Sequence, residues 1–112
     1  MRARGEASVL DAAPIFAALG DEHRLRIVTR LSAQGPQPIV RLTEGTGISR
    51  QAVTKHLRSL EGAGLLRSTR VGRERIWELQ PEALGDVQHH LETISRQWDA
   101  AIGRLRAFVE ED

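Results

Sequence analysis

The chain has 112 residues and a formal net charge of +1, which is enough for one domain with a small core. Its hydrophobic fraction of 40% and charged fraction of 28% are ordinary for a folded soluble protein. It contains no cysteine, which excludes disulfides, cysteine-based zinc sites and thiol catalysis. No segment has the character of a signal peptide or a membrane span, so we expect a soluble cytoplasmic protein with no membrane partner.

The first third of the chain predicts two short helices that follow a flexible arm over residues 1–10. Asp11 is the expected N-cap of the first helix, with Pro14 in its first turn and Phe16 pointing inward. Asp21 is the expected N-cap of the second helix. The apolar stripe of that second helix consists of Leu25, Val28 and Leu31, with Ile27 beside it.

Residues 39–62 predict two helices joined by a tight turn. A short third helix begins at Ile39, Gly47 follows it as a helix-terminating glycine, and Ser49 caps a fourth helix. At about 100° per residue, the inward face of the fourth helix consists of Val53, Leu57 and Leu60. Its outward stripe consists of Gln51, Lys55 and Arg58, with no acid among them. This arrangement is typical of a helix-turn-helix.

The outward stripe of the fourth helix has the chemistry of a surface that reads DNA. Glutamine can pair bidentately with adenine, and lysine or arginine with guanine, in a major groove that admits one helix. The first residues of the helix present free backbone amides, which suit a phosphate. The residues of this helix that we predict to bind DNA are Ser49, Arg50, Gln51, Thr54, Lys55 and Arg58.

A β-hairpin wing is predicted over residues 65–79, with Gly72 at or near its turn. Arg70, Arg73 and Arg75 lie at or beside its tip, where three guanidinium groups repel one another unless an anion compensates them. The backbone or the narrow minor groove of a DNA duplex would do so. The wing arginines are therefore predicted to bind DNA, and the alternative is an exposed turn that only aids solubility.

Charge is divided unevenly along the second half of the chain. Residues 50–75 hold seven basic side chains and two acids, a net charge of +5. Residues 76–112 hold three basic side chains and eight acids, a net charge of −5. This asymmetry predicts one surface that attracts a polyanion and another with a different role, unless the charges are scattered by chance.

The last predicted helix, over residues 81–110, carries an apolar heptad pattern along its whole length. At about 45 Å it is longer than a domain of this size can cover alone, so its apolar stripe needs the N-terminal helix or a second copy of the chain. The alternative is a helix that folds back as core. The predicted dimer contacts are Phe16, Leu84, Val87, Leu91, Ile94, Trp98, Leu105 and Phe108.

The chain resembles the ArsR/SmtB family of winged-helix transcriptional repressors in three stretches, ALGDEHRLRIV at 18–28, GISRQAVTKHLRSLEGAGLL at 47–66 and RVGRERIWEL at 70–79. The C-terminal ISRQWDAAIGRLRAFVEE further resembles a metal-independent branch of that family with a tryptophan midway along the last helix. The resemblance implies a homodimer in which the first and last helices form the interface. It also implies that two recognition helices enter successive major grooves.

Members of this family often sense metals, but the matching ligand positions hold few donors here. Pro38 and Val40 stand where a thiolate site would lie, and neither can ligate a metal. On the last helix the corresponding positions are Gln88, His90, Ala101 and Arg104, of which only the histidine is a ligand. We expect no metal and no cofactor, with a metal-responsive repressor using His89 and His90 as an alternative.

The sequence thus predicts a mainly α, single-domain winged helix-turn-helix over residues 1–112, with about five helices, a two-stranded wing and a long C-terminal dimerisation helix. The expected function is that of a homodimeric repressor or autorepressor that binds a palindromic operator in double-stranded DNA. No catalytic constellation is present, so we do not expect an enzyme. The rival from another class is a winged-helix dimer that acts through protein–protein interaction.

Overall fold

The structure is a computed structural model that describes the backbone of residues 4–110 and the side chains of residues 12–110. Five helices and three strands follow one another in an order typical of a winged helix-turn-helix, which confirms the predicted fold class. Their bounds are α1 Arg4–Leu19, α2 Glu22–Gln34, β1 Gln37–Pro38, α3 Ile39–Thr43, α4 Arg50–Gly62, β2 Leu66–Val71, β3 Glu74–Leu79 and α5 Pro81–Glu110.

Helix α1 begins at Arg4, well before the predicted N-cap at Asp11. The prediction of a flexible arm is therefore wrong for residues 4–10, and its first three residues lie outside the described part of the chain. Pro14 is inside the helix rather than in its first turn. Proline marks a first turn because it lacks an N–H, but residues 4–10 include strong helix formers that extend the helix ahead of it.

The hydrophobic core lies where the helix-turn-helix meets the wing and α1. Val53, Leu57 and Leu60 of α4 have no exposed surface, which confirms the predicted inward face. The remaining members of the core come from the other four helices, from β2 and β3, and from the turn that precedes β2. They are Ile15, Ala18, Ile27, Val28, Leu31, Leu42, Leu65, Leu66, Trp77 and Ala83. The inward face of α4 thus packs against this core, and its outward stripe is exposed to solvent.

One residue of the predicted α2 stripe is wrong. Ile27, Val28 and Leu31 are buried, whereas Leu25 is half exposed. At 100° per residue, Leu25 lies about 110° around the helix from the centre of the face formed by the other three. Leu25 is therefore not buried, although it lies only three residues before Val28.

The sheet has three strands, one more than the predicted hairpin. The added strand, β1, pairs antiparallel with β3 through Gln37 opposite Trp77 and Pro38 opposite Ile76. It is an edge strand, in the order β1–β3–β2, and proline is tolerated at an edge because its missing N–H need not serve a second neighbour. The extra strand anchors the base of the wing to the start of α3.

The wing itself is the antiparallel pair of β2 and β3, closed by a two-residue loop of Gly72 and Arg73. Val71 lies opposite Glu74 across this loop. Gly72 has a φ of 64°, and no residue other than glycine has a positive φ within the described chain. A positive φ at the first loop position alone is the φ pattern of a type II′ turn, which glycine adopts without a steric penalty.

Helix α2 begins with the predicted cap. The backbone N–H of Arg24 donates to Oδ2 of Asp21 at 3.0 Å. That hydrogen bond holds the pKa of the Asp21 carboxyl below its ordinary value, and the nearby imidazole of His56 lowers it further. Because the unfolded chain then binds more protons than the folded chain near the ordinary pKa of aspartate, acidification through the lowered pKa removes stability.

We expect the Asp21→Asn variant to lose less thermal stability than the parent protein when the pH falls from about 5 to about 3. Asparagine caps a helix as well as aspartate does, but it does not titrate. Melting followed by circular dichroism across this pH range measures the difference. Parallel pH profiles for the two proteins would mean that the capping carboxylate is not a source of the acid sensitivity.

Helix α5 runs as one segment from Pro81 to Glu110. Its N-terminal part packs on α1, where the rings of Phe16 and His90 are 5.8 Å apart and tilted, and Ala83 reaches the core. Beyond Ile94 every described side chain of the helix is exposed. No helix within residues 4–110 combines the length and apolarity needed to cross a membrane.

Candidate nucleic-acid interface

The N-terminus of α4 is capped by the residue predicted to cap it. The backbone N–H of Ala52 donates to Oγ of Ser49 at 3.1 Å. Ser49 is therefore occupied as a helix cap, and the neighbouring N–H groups of the first turn remain directed outward at the positive end of the helix dipole. Arg50 and Gln51 are exposed beside them. This end of α4 offers donors and positive potential to an anion.

The outward stripe of α4 continues with Thr54 and Lys55. Lys55 is exposed and free to extend away from the protein. Thr54 is half-buried, and its hydroxyl donates to the backbone carbonyl of Arg50 at 2.9 Å. Because that donor is used within the helix, the Thr54 oxygen can act towards a base only as an acceptor. Lys55 can therefore only donate a hydrogen bond to a partner, and Thr54 can only accept one.

Arg58 is not a free cation of the stripe. Its Nη1 lies 3.1 Å from Oε1 of Glu61, one turn further along α4, and its guanidinium carbon lies 5.6 Å from the ring centroid of Trp77. Although no acid lies among the three residues of the stripe, Glu61 pairs with Arg58 from beside it, because residues three apart on a helix are neighbours. Arg58 therefore points towards the wing.

The same glutamate reaches the wing. Oγ of Ser68, on β2, donates to Oε2 of Glu61 at 3.4 Å. Nη1 of Arg75, on β3, in turn donates to the same Ser68 hydroxyl at 2.8 Å. The polar chain Arg58–Glu61–Ser68–Arg75 thus joins α4 to both strands of the wing. Sequence reasoning missed Glu61 and Ser68, although the spacing of Arg58 and Glu61 on a helix was a signal for the first.

The wing presents like charges to one another. Arg70 and Arg75 are directly opposite across the β2–β3 pair, and both are exposed. Opposed residues project from the same face, and this pair lies on the face of Ser68 and Trp77, which is the face towards α4. Like charges placed directly opposite destabilise a sheet. A bound anion such as a phosphate would relieve that repulsion.

The opposite face of the wing carries no excess of positive charge, because it holds Glu74 and Glu78 beside a single arginine, Arg67. Nε of Arg67 lies 2.7 Å from Oε1 of Glu78, and these two residues are partners in the strand register. Arg73 occupies the loop and is exposed. The unbalanced positive charge of the wing is therefore confined to its loop and to the face that α4 shares.

Comparisons with known proteins agree with this geometry. A family model described as a helix-turn-helix domain matches residues 19–69. The HTH-type transcriptional regulator Rv2034 of Mycobacterium tuberculosis is 35% identical over 95 residues, which cover 85% of both chains. An ArsR-like transcriptional regulator from Rhodococcus sp. RHA1 superposes with a TM-score of 0.74 at 33% identity, over 91% of this chain and 95% of its own. The chain belongs to the ArsR family.

A further likeness, to a possible ArsR-family regulator, concerns the fold alone. The solution structure of the homodimeric winged helix-turn-helix DNA-binding domain of Mb0332 from Mycobacterium bovis has a TM-score of 0.64 at 22% identity, covering 87% of this chain and 89% of its own. It has the arrangement of helices and wing described above. As an ArsR-family chain, this protein is a transcriptional regulator with a winged DNA-binding domain.

The positions at which ArsR-family members often hold metals are not gathered here into a ligand set. Within the described residues, no group of three or more histidine, cysteine, aspartate or glutamate side chains is arranged to hold a metal ion. His90 packs on Phe16, whereas His89 is exposed. The metal-responsive alternative remains a prediction that equilibrium dialysis against zinc, nickel and cobalt can test.

His56 occupies the position expected of a structural residue rather than of a base contact. It is half-buried between α4 and α2, its ring stacks on that of His23 with 5.6 Å between centroids, and its Nδ1 lies 3.8 Å from Oδ2 of Asp21. Helix α4 is thereby tied to the cap of α2.

Proposed function

We propose that two copies of this ArsR-family chain bind a palindromic operator in double-stranded DNA and repress transcription by occupying it. The observation that carries the proposal is the shared face of α4 and the wing, where exposed cationic and amide groups outnumber its one acid, Glu61. A solvated surface usually mixes charges of both signs, and the other face of the wing does so. The α4 face instead leaves Arg70 opposite Arg75.

The proposed dimer rests on the apolar stripe of α5. Leu91 is 49% exposed, Trp98 65%, Leu105 64% and Phe108 75%. Burying side chains of this size contributes about 1.5–3 kcal/mol each. The partner that fits is a second copy of the same helix, because a heptad stripe is complementary to itself. We propose that Leu84, Val87 and Ile94 continue this seam towards Phe16 of α1.

The proposed contacts divide between reading and holding the duplex. Gln51, Lys55 and Thr54 would meet base edges in the major groove, with Arg50 and Arg58 shared between bases and phosphates. The wing arginines would mainly supply affinity that does not depend on sequence. With two recognition helices related by a dyad, the half-sites should lie about one helical turn apart, near 34 Å. No catalytic step belongs to this function.

Selection of bound sequences from a random duplex pool tests the proposed function. We expect the enriched sequences to share a palindrome with half-sites one turn apart, because a twofold-symmetric protein reads a twofold-symmetric site. Binding of a selected duplex, followed by fluorescence polarisation, should weaken steeply as salt rises because phosphate contacts release counterions.

The opposite outcome distinguishes the rival function. If no sequence is enriched and the affinity for DNA is low and insensitive to salt, the cationic face serves a protein partner with an acidic surface. Addition of zinc, nickel or cobalt to the same titration provides the test of metal responsiveness, because a metal-sensing repressor would change its affinity for the selected duplex.

A further inference from the structure

Glu61 is the one carboxylate of α4. It lies between Arg58 and Arg75, which are both proposed to bind DNA. Acids are costly beside a phosphate backbone, since they repel it at short range. Glu61 is only partly exposed, with 35% of its side chain accessible. Its two oxygens face different partners, Arg58 on its own helix and Ser68 on β2. A residue that served only solubility would not be engaged on both sides.

The direction of every hydrogen bond in the chain Arg58–Glu61–Ser68–Arg75 is determined by chemistry. A guanidinium only donates and a carboxylate only accepts. Because Arg75 donates to the Ser68 oxygen, the single proton of that hydroxyl is available for Glu61. Both oxygens of Glu61 must therefore accept, one from Arg58 and one from Ser68.

This chain of hydrogen bonds links the orientation of the wing to that of the recognition helix. Without it, Arg75 would be held only by its strand, next to the like charge of Arg70. With these hydrogen bonds, the guanidinium of Arg75 is drawn towards the base of the wing. The guanidinium of Arg58 lies between Glu61 and the ring of Trp77. The helix and the wing are then presented to a duplex as one rigid unit.

We propose that Glu61 is a positioning residue that couples the wing to the recognition helix, so that the preference of the protein for its operator over other DNA depends on it. This inference rests on the proposed DNA-binding function. A wing in register with the helix contacts phosphates only when the helix is seated on the right bases. A wing without that constraint contacts phosphates of any duplex.

The Glu61→Gln variant tests the proposal, because its amide replaces one carboxylate oxygen with an NH2 group that only donates, so the two charge-assisted hydrogen bonds from Arg58 and Ser68 cannot both be kept. We expect the ratio of affinities for the selected duplex and for a scrambled duplex of the same composition to fall by about tenfold, within the range of coupling in polar networks. Affinity for the scrambled duplex should rise, since a negative charge near the phosphates is removed.

A matched control is available on the other face of the wing. Glu78→Gln removes the same charge from an acid that pairs with Arg67 and takes no part in the series of hydrogen bonds that reaches α4. It should raise the affinities for both duplexes by a similar factor and leave their ratio unchanged. Circular dichroism melting should show all variants folded, because a partly exposed ion pair contributes little to stability.

Ser68→Ala provides a second route that alters no charge. It should lower the same ratio, and the Glu61→Gln/Ser68→Ala double variant should lower it no further than Glu61→Gln alone, since both act through one chain. Either of two results would overturn the proposal. In the first, Glu61→Gln changes the affinity ratio no more than Glu78→Gln does; in the second, the effects of Glu61→Gln and Ser68→Ala on the ratio add. Failure of the parent protein to prefer any duplex would instead overturn the proposed function.

Discussion

Replacing Leu91 and Trp98 together with glutamate should convert the protein to a monomer and reduce its affinity for the selected duplex by about a hundredfold or more. Both side chains lie in the exposed apolar stripe of α5, and a carboxylate buried in the seam without a partner costs far more than the hydrophobic burial it replaces. Once the two copies separate, each half-site is bound independently and the gain in effective concentration is lost. Sedimentation equilibrium at micromolar protein and fluorescence polarisation measure the two effects.

The control for this change adds the same charge to the other side of the same helix. His89 and Ala100 are exposed and lie away from the heptad seam, so His89→Glu/Ala100→Glu should remain dimeric and bind the duplex almost as the parent does. If the seam variant stayed dimeric, α5 would not be the interface. If both variants lost DNA binding equally, electrostatic repulsion rather than dimer loss would be responsible.

Lys55→Ala should relax sequence preference, whereas Arg73→Ala/Arg75→Ala should weaken binding to every duplex. Lys55 extends from the outward stripe of α4, and loss of one good contact to a base costs about 1–3 kcal/mol of discrimination. The two arginines lie in the loop and on β3 of the wing. If they meet phosphates, their loss should reduce the slope of log affinity against log salt by about 0.9 per contact.

These two variants are compared by titrating the selected and the scrambled duplex at several salt concentrations. The expected pattern is a lower affinity ratio for Lys55→Ala with a nearly unchanged salt slope. Arg73→Ala/Arg75→Ala should lower the slope, and it should also lower the ratio because Arg75 is hydrogen-bonded to Ser68 and through it to Glu61. If both variants changed the ratio and the slope alike, the division between base-reading and phosphate-binding residues would be wrong.

Elements with strong local signals could be predicted from the sequence. Helix α4 has both a capping serine and an inward face at helical spacing, and α5 has a proline at its first position and an unbroken heptad pattern. The hairpin loop at Gly72 requires a positive φ, which glycine adopts readily. In each case a backbone requirement and a hydrophobic pattern agree over the same residues.

Features that depend on tertiary contacts could not be predicted in this way. Strand β1 has only two residues, too few for any alternation, and exists because β3 offers it an edge. The start of α1 was predicted too late because Pro14, which usually marks the first turn of a helix, here lies inside the helix. Of the site, the exposed stripe followed from helical geometry, but the links of Glu61 to β2 and of Arg58 to Trp77 required the docking of wing on helix.

Hydroxyl-radical footprinting of the selected duplex, with the stoichiometry of the complex measured by light scattering, tests the central claim most directly. That claim is that two copies present α4 and the wing to one duplex in twofold-symmetric fashion. We predict two chains per duplex and two protected regions related by a dyad, with centres about one helical turn apart. One chain per duplex, or a single protected region without symmetry, would contradict it.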